Sequence, residues 1–182
     1  MRQVLCPVLV GRDEEVRLLR DALDAAASGH GGTWFVAGEA GVGKSRLARE
    51  VSRQAHARGM TVLTGRAVPG GVPVAYRPLA EAVLNGLRGH DVLESPGLRA
   101  FRPALARLVP EWQPREQVAG VESPVVLGEG LLRLLRLLAG ERGCLLVLED
   151  LHWADRESLA VLEYVADNVG AERIACLGTL RP

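Results

Sequence analysis

Lysine is all but missing from this chain of 182 residues: Lys44 is the only one, and every other basic side chain among the 22 Lys plus Arg is an arginine. Aromatic residues are scarce at 4%, so a core made from this sequence must consist mainly of Leu, Val and Ala. Neither sign of charge is in excess, because 22 acidic residues balance the basic ones to a formal net charge of +0. That balance argues against binding to DNA or to an anionic membrane by bulk charge. Any DNA contact made by a full-length protein is expected from another domain.

Cysteine is also sparse, with three residues, Cys6, Cys144 and Cys176. An odd count, with the last two in apolar runs, points to reduced structural thiols in a cytosolic protein. The apolar run over residues 4–10 contains Pro7 and leads straight into Gly-Arg-Asp-Glu-Glu, too short for a signal-peptide core or a membrane span. Leu5 rather than a small residue precedes Cys6, which speaks against a lipoprotein cleavage site. With 48% hydrophobic residues the chain has enough apolar material for one domain over residues 1–182, and the expectation is a cytoplasmic protein.

What is present centres on the lone lysine. Residues 38–45 read GEAGVGKS, a match to Gly-x-x-x-x-Gly-Lys-Ser/Thr. A compact ammonium fits between β- and γ-phosphates where a planar guanidinium fork does not, which explains a lysine here in a chain that otherwise uses arginine. The candidate phosphate-binding run is Gly38, Glu39, Ala40, Gly41, Val42 and Gly43, with Lys44, Ser45 and Arg46. The glycines let backbone N–H groups curl around phosphate oxygens, and the following helix adds the positive end of its dipole. Lys44 would neutralise phosphate charge, and the Ser45 hydroxyl would ligate Mg²⁺.

The surrounding pattern supplies the context that this motif needs. Val16, Leu19, Leu23 and Ala26 recur at helical spacing within residues 13–28, and Gly29 ends the run. Residues 33–37 (TWFVA) read as a strand leading into the loop. From Lys44 onward, Leu47, Val51 and Ala55 share one helical face up to Gly59, and residues 60–65 read as a second strand. Residues 67–75 are a loop by their Pro and Gly content, with helices expected near 78–87 and 98–109 and a second irregular stretch at 110–127. Residues 128–139 are nearly solid leucine and predict a buried helix, and residues 144–148 (CLLVL) predict a strand covered on both faces. Asp155 can cap a helix over 156–168, and residues 173–179 read as a last strand. Strands alternating with helices predict a doubly wound α/β sheet with its ligand at the carboxyl ends of the strands.

Two more elements end at that edge. Glu149-Asp150 closes an apolar strand, where a nucleoside triphosphatase needs one carboxylate near Mg²⁺ and another to orient the attacking water. By position Glu149 takes the first role and Asp150 the second; the alternative is a solvated strand end. Arg181, just past the last strand, could reach a γ-phosphate, although alone it reads as a surface arginine. Arg66, Arg133 and Arg136 could approach phosphates, but with arginine the default basic residue here they read as solvated or helix-face residues. His152 and Trp153 read as packed loop residues, since one histidine without partners at ligand spacing is no metal site.

Taken together, VGRDEEVRLLRDAL, GEAGVGKSRLARE, TGRAVPGGVPVAYRPLAEAV, LLVLEDLHWAD and LGTLRP, in this order and spacing, resemble the N-terminal ATPase module of the AAA/STAND signalling ATPases. The likeness is in particular to the Orc1-like AAA domain of large ATP-binding regulators of the LuxR type, and it covers essentially the whole chain. It implies a P-loop NTPase core, three-layer α/β/α with a mostly parallel sheet, that binds ATP and Mg²⁺ and acts as a switch between ATP and ADP states. It implies that Gly11 and Arg12 approach adenine and ribose and that Arg181 is the sensor arginine. Glu149 stands where an Asp is more usual. The lid, winged-helix and effector segments of such proteins are expected to be missing, leaving the core C-terminally incomplete and dependent on those segments or on self-association with ATP. Two other readings stay open: a nucleotide-binding module without useful turnover, and a P-loop small-molecule kinase.

Overall fold

The computed structural model describes residues 11–70, 74–88, 92, 95–112 and 123–182. The unbroken apolar run becomes β3 (Cys144–Glu149), with its first five residues fully buried. It lies inside a four-stranded sheet with β1 (Gly32–Ala37), β2 (Thr61–Arg66) and β4 (Ile174–Leu180), in the order β1-β4-β3-β2. Every neighbouring pair is parallel, with Gly32 opposite Ala175, Cys144 opposite Ile174 and Thr61 opposite Cys144. A parallel sheet must be covered on both faces, and strand alternation shows how this is done. Leu145 and Val147 face α1 (Asp13–Ala27) and α2 (Lys44–Ala57), joining Leu19, Leu23, Leu47 and Val51 in one apolar layer. Cys144, Leu146 and Leu148 face the opposite layer, made by α3 (Arg77–Gly86), α4 (Arg102–Leu105), α5 (Pro124–Ala139) and α6 (Arg156–Asn168). This is the three-layer α/β/α arrangement expected from the alternating pattern.

Two expectations need correction. The helix anticipated over 98–109 is instead a 3₁₀ turn, Pro96–Phe101, followed by the single α-turn of α4. Pro103 explains the break: it has no N–H to donate, and its ring excludes the carbonyl four residues back. The stretch expected to be irregular over 110–127 gives up its end to α5, which starts at Pro124, before the expected Gly128. Ser123 caps it by accepting a hydrogen bond from the Val125 N–H at 3.2 Å, and proline suits the first turn because its missing N–H would have no helical partner. The rest of that stretch from residue 113 to 122, residues 71–73 of the 67–75 loop, the 4–10 run, Cys6 and Val10 lie outside the described residues.

Cys144 and Cys176 are free and fully buried. Burial pushes the Cys176 thiol up to about 12 and raises Cys144 well above its ordinary value, so both are inert core residues. Among the described residues no helix is long and apolar enough to cross a membrane. Because all four strands run the same way, Ala37, Arg66, Glu149 and Leu180 end along one edge of the sheet.

Candidate phosphate-binding site

The strand order sets the order of functional groups along that edge. The loop after β1 comes first, then Arg181 after β4, Asp150 after β3, and Arg66 at the end of β2. Hydrogen bonds stitch the neighbours: the Gly38 N–H donates to the Leu180 carbonyl at 3.3 Å, and the Asp150 N–H donates to the Thr179 side-chain hydroxyl at 3.0 Å. Four segments far apart in sequence thus meet at a cavity of about 510 Å³.

One wall of the cavity is the glycine loop. Gly41 and Gly43 have φ of 83° and 93°, and a Cβ at either would meet nothing within 4 Å, so glycine is required there for backbone conformation rather than for space. Lys44 is 8% exposed, and its ammonium donates to the carbonyls of Gly38 at 2.6 Å and Glu39 at 2.8 Å. An ammonium has three donors, so one remains for an anion at the loop. Ala40, Ser45 and Arg46 line the same cavity. Arg12 reaches the loop from outside: its guanidinium donates to the Val42 carbonyl at 2.9 Å and pairs with Glu15 at 3.3 Å. Arg12 therefore braces the glycine loop.

The opposite wall carries Asp150 and Arg181. Asp150 has a left-handed backbone, φ 58°, which turns the chain sharply out of β3. Its carboxylate accepts two hydrogen bonds from Arg66, from Nη2 at 2.7 Å and Nε at 2.9 Å. The Asp150 carboxylate in turn holds the Arg66 guanidinium above its ordinary pKa. Arg66 lines the cavity while its side chain stays 59% exposed, so it is solvated as expected and also part of the cavity wall. Arg133 and Arg136 do behave as helix-face residues, paired with Glu129 and Glu172 at 2.7 Å each. Arg49 of α2 also lines the cavity, a residue that sequence reading passed over although it follows Ser45 by one helical turn.

Glu149 continues the alternation of Leu145 and Val147, which puts it on the face covered by α1 and by α2, the helix that carries Ser45; Ser45 lines the cavity and Glu149 does not. A hydroxyl and a carboxylate are hard oxygen donors without imidazole or thiolate, a set that suits Mg²⁺. Among the described residues no group of three or more His, Cys, Asp or Glu forms a protein-only metal cage, and Mg²⁺ bound with phosphates does not need one. His152 and Trp153 take no part in the cavity: their rings lie 5.2 Å apart with planes tilted by 46°, His152 lines a separate apolar groove beside Phe35, and Trp153 is 48% exposed rather than packed as expected. Asp155 buttresses this edge by capping α6 through the Ser158 N–H at 2.8 Å and by accepting from the Tyr76 N–H at 3.3 Å. Burial pushes the Asp155 carboxyl up, but these hydrogen bonds outweigh it and leave its pKa below the ordinary value.

Residues 8–177 match the family model of the AAA ATPase domain. The chain belongs to this family. As an AAA ATPase domain it is a nucleotide-binding module. A Rhizobium meliloti (strain 1021) protein, described only as uncharacterized, is 26% identical over 192 aligned residues. That alignment takes in 96% of this AAA ATPase domain and 18% of the relative, so the chain spans under a fifth of that protein. Among solved structures, a chain of Drosophila ORC bound to AT-rich DNA and Cdc6 is similar at 11% identity and a TM-score of 0.43, covering 92% of this chain and 49% of that one. The corresponding complex with GC-rich DNA gives 11% identity and a TM-score of 0.43, with 98% and 55% covered.

Proposed function

We propose that this AAA ATPase domain is an ATP-binding, ATP-hydrolysing switch module of a bacterial signal-transduction or transcription regulator of the LuxR type. The observation that carries the nucleotide reading is the convergence of the chain's one lysine with Asp150 and Arg181 on a single cavity. Lys44 and the loop N–H groups hold the β- and γ-phosphates. Asp150 orients a water for in-line attack, and Arg181 reports the γ-phosphate. Arg12, through its bond to Val42, keeps the loop in its phosphate-cradling shape beside the nucleoside. Mg²⁺ would be held by Ser45 and Glu149, and when bound it neutralises charge on the phosphate oxygens.

The regulator context rests on the sequence likeness to LuxR-type ATPase modules. It is supported by the Rhizobium relative, in which a segment of this kind makes up a small part of a much longer protein. Output and signal belong to such further domains, and ATP binding is the event that would reorganise or associate them. The balanced charge gives this segment no general attraction to nucleic acid.

Hydrolysis is tested with Asp150→Asn. Phosphate release from ATP is expected to fall about a hundredfold or more, while ATP affinity stays within about threefold, because the amide keeps the shape but orients water poorly. Unchanged turnover would remove Asp150 from the reaction. One observation favours a second reading, binding without turnover: the Asp150 carboxylate is engaged by Arg66 in this state. A wild-type chain that binds ATP and releases no phosphate would establish that reading.

A further inference from the structure

We propose that Arg49 is a phosphate-contacting residue that makes the site prefer a nucleoside triphosphate over a diphosphate; this rests on the nucleotide reading above. Arg49 lies on α2, four residues beyond Ser45, so the two share one helix face about one turn apart. Side chains on a helix lean toward its N-terminus, which carries the Arg49 guanidinium back toward the first turn, where the loop cradle and the Ser45 hydroxyl are. The helix cannot rotate to move it elsewhere, because Leu47, Ala48 and Val51 are buried against the sheet. Arg49 accordingly lines the cavity together with Lys44, Arg66, Asp150 and Arg181.

Charge bookkeeping singles it out. The next arginines along α2 and at its end are tied down, Arg53 to Glu50 at 2.6 Å and Arg58 to Asp24 at 2.7 Å. Arg66 is neutralised by Asp150, the sole carboxylate among the lining residues. Arg49 has no hydrogen-bonded or ionic partner among the described residues, and neither has Arg181. Two arginines without counter-charges thus face the cavity from elements on either side of the loop lysine. The loop N–H groups and Lys44 hold the β- and γ-phosphates, and Arg49 adds a second cationic contact to the γ-phosphate oxygens, which a diphosphate lacks. A planar fork is suited to a terminal phosphate, which offers three oxygens.

The test is competition of unlabelled ATP and ADP, with Mg²⁺, against a fluorescent ATP analogue on the full chain, comparing wild type, Arg49→Gln and Arg53→Gln. Arg49→Gln is expected to weaken ATP about tenfold and leave ADP within about twofold, and to flatten the salt dependence of ATP binding. Arg53→Gln, one turn further along and already paired, should move neither ligand. Equal weakening of ATP and ADP by Arg49→Gln would make it a general electrostatic contributor and overturn the proposal, as would no change at all. Failure of the wild-type chain to bind any nucleotide would instead remove the nucleotide reading itself. Circular dichroism of the variant checks that α2 is intact, and the exposed position makes folding of the variant the expected outcome.

Discussion

Lys44→Ala is expected to weaken ATP binding about a hundredfold, as read by displacement of a fluorescent ATP analogue. The size follows from the loss of a charge-assisted donor held in a mostly buried setting, where water screens it little. Lys44→Arg is the sharper version of the same experiment. The chain uses arginine at every other basic position, so a simple need for positive charge would be met by arginine. The Lys44 ammonium, however, sits within 2.6 and 2.8 Å of two loop carbonyls, in a space that suits a compact head and not a planar fork. Lys44→Arg should therefore lose most of the affinity that Lys44→Ala loses. Arginine restoring wild-type binding would show that the loop reads charge alone.

Gly65→Ala is expected to have the largest effect on stability. A Cβ at Gly65 would stand 1.8 Å from the Pro78 carbonyl oxygen, 2.9 Å from its carbon and 3.0 Å from the Ala82 nitrogen, all backbone atoms of α3 that cannot swing aside. Either β2 or the whole of α3 has to move, and α3 carries Leu79, Ala82 and Val83 into the core beside Leu63. The cost is about 3 kcal/mol, at the upper end for overpacking. For a domain of this size that lowers Tm by roughly 6–12 °C in a thermal melt. Gly170→Ala is the control: nothing lies within 4 Å of its would-be Cβ and its φ is ordinary, so Tm should hardly change. A Gly65→Ala melt equal to wild type would mean that α3 does not rest directly on β2. Function is linked to the same contact, because Gly65 precedes Arg66, whose N–H donates to Glu81 of α3 at 3.1 Å. Lifting α3 would displace Arg66 and with it the pair with Asp150.

Much of this arrangement is legible in the sequence because its causes are local. The helical spacing of Leu19, Leu23 and Ala26, the glycines after α1 and α2, the apolar run of β3 and the capping Asp155 each act within a turn or two of chain, and each element forms where expected. The glycine loop is legible for the same reason: its three glycines and its lysine all fall within residues 38–44. The start of α5 at Ser123-Pro124 is hard to read locally, because a proline has the character of a loop residue except in the first helical turn. Pro103 acts in the opposite sense, breaking an apolar pattern whose spacing is otherwise helical. Arg66 could not be placed by local reasoning, since its partner Asp150 lies 84 residues away and meets it only through the register of β2 on β3, Arg66 opposite Glu149. Arg49 carried a signal, its spacing from Ser45, but in a chain with arginine on most helix faces that signal stands out only once the cavity is seen.

The most direct measurement is a titration of the isotopically labelled chain with MgATP, followed by the backbone amide resonances. If a triphosphate is held where the loop, Arg181 and Asp150 converge, the amides of Gly41, Gly43, Lys44 and Ser45 move most and saturate together, followed by Arg66 and Asp150. The apolar groove beside Phe35 and Leu162, the other large cavity among the described residues, should stay still. Saturating ATP that leaves the loop amides unmoved, or that shifts the groove residues instead, would contradict the assignment of this edge of the sheet as the nucleotide site.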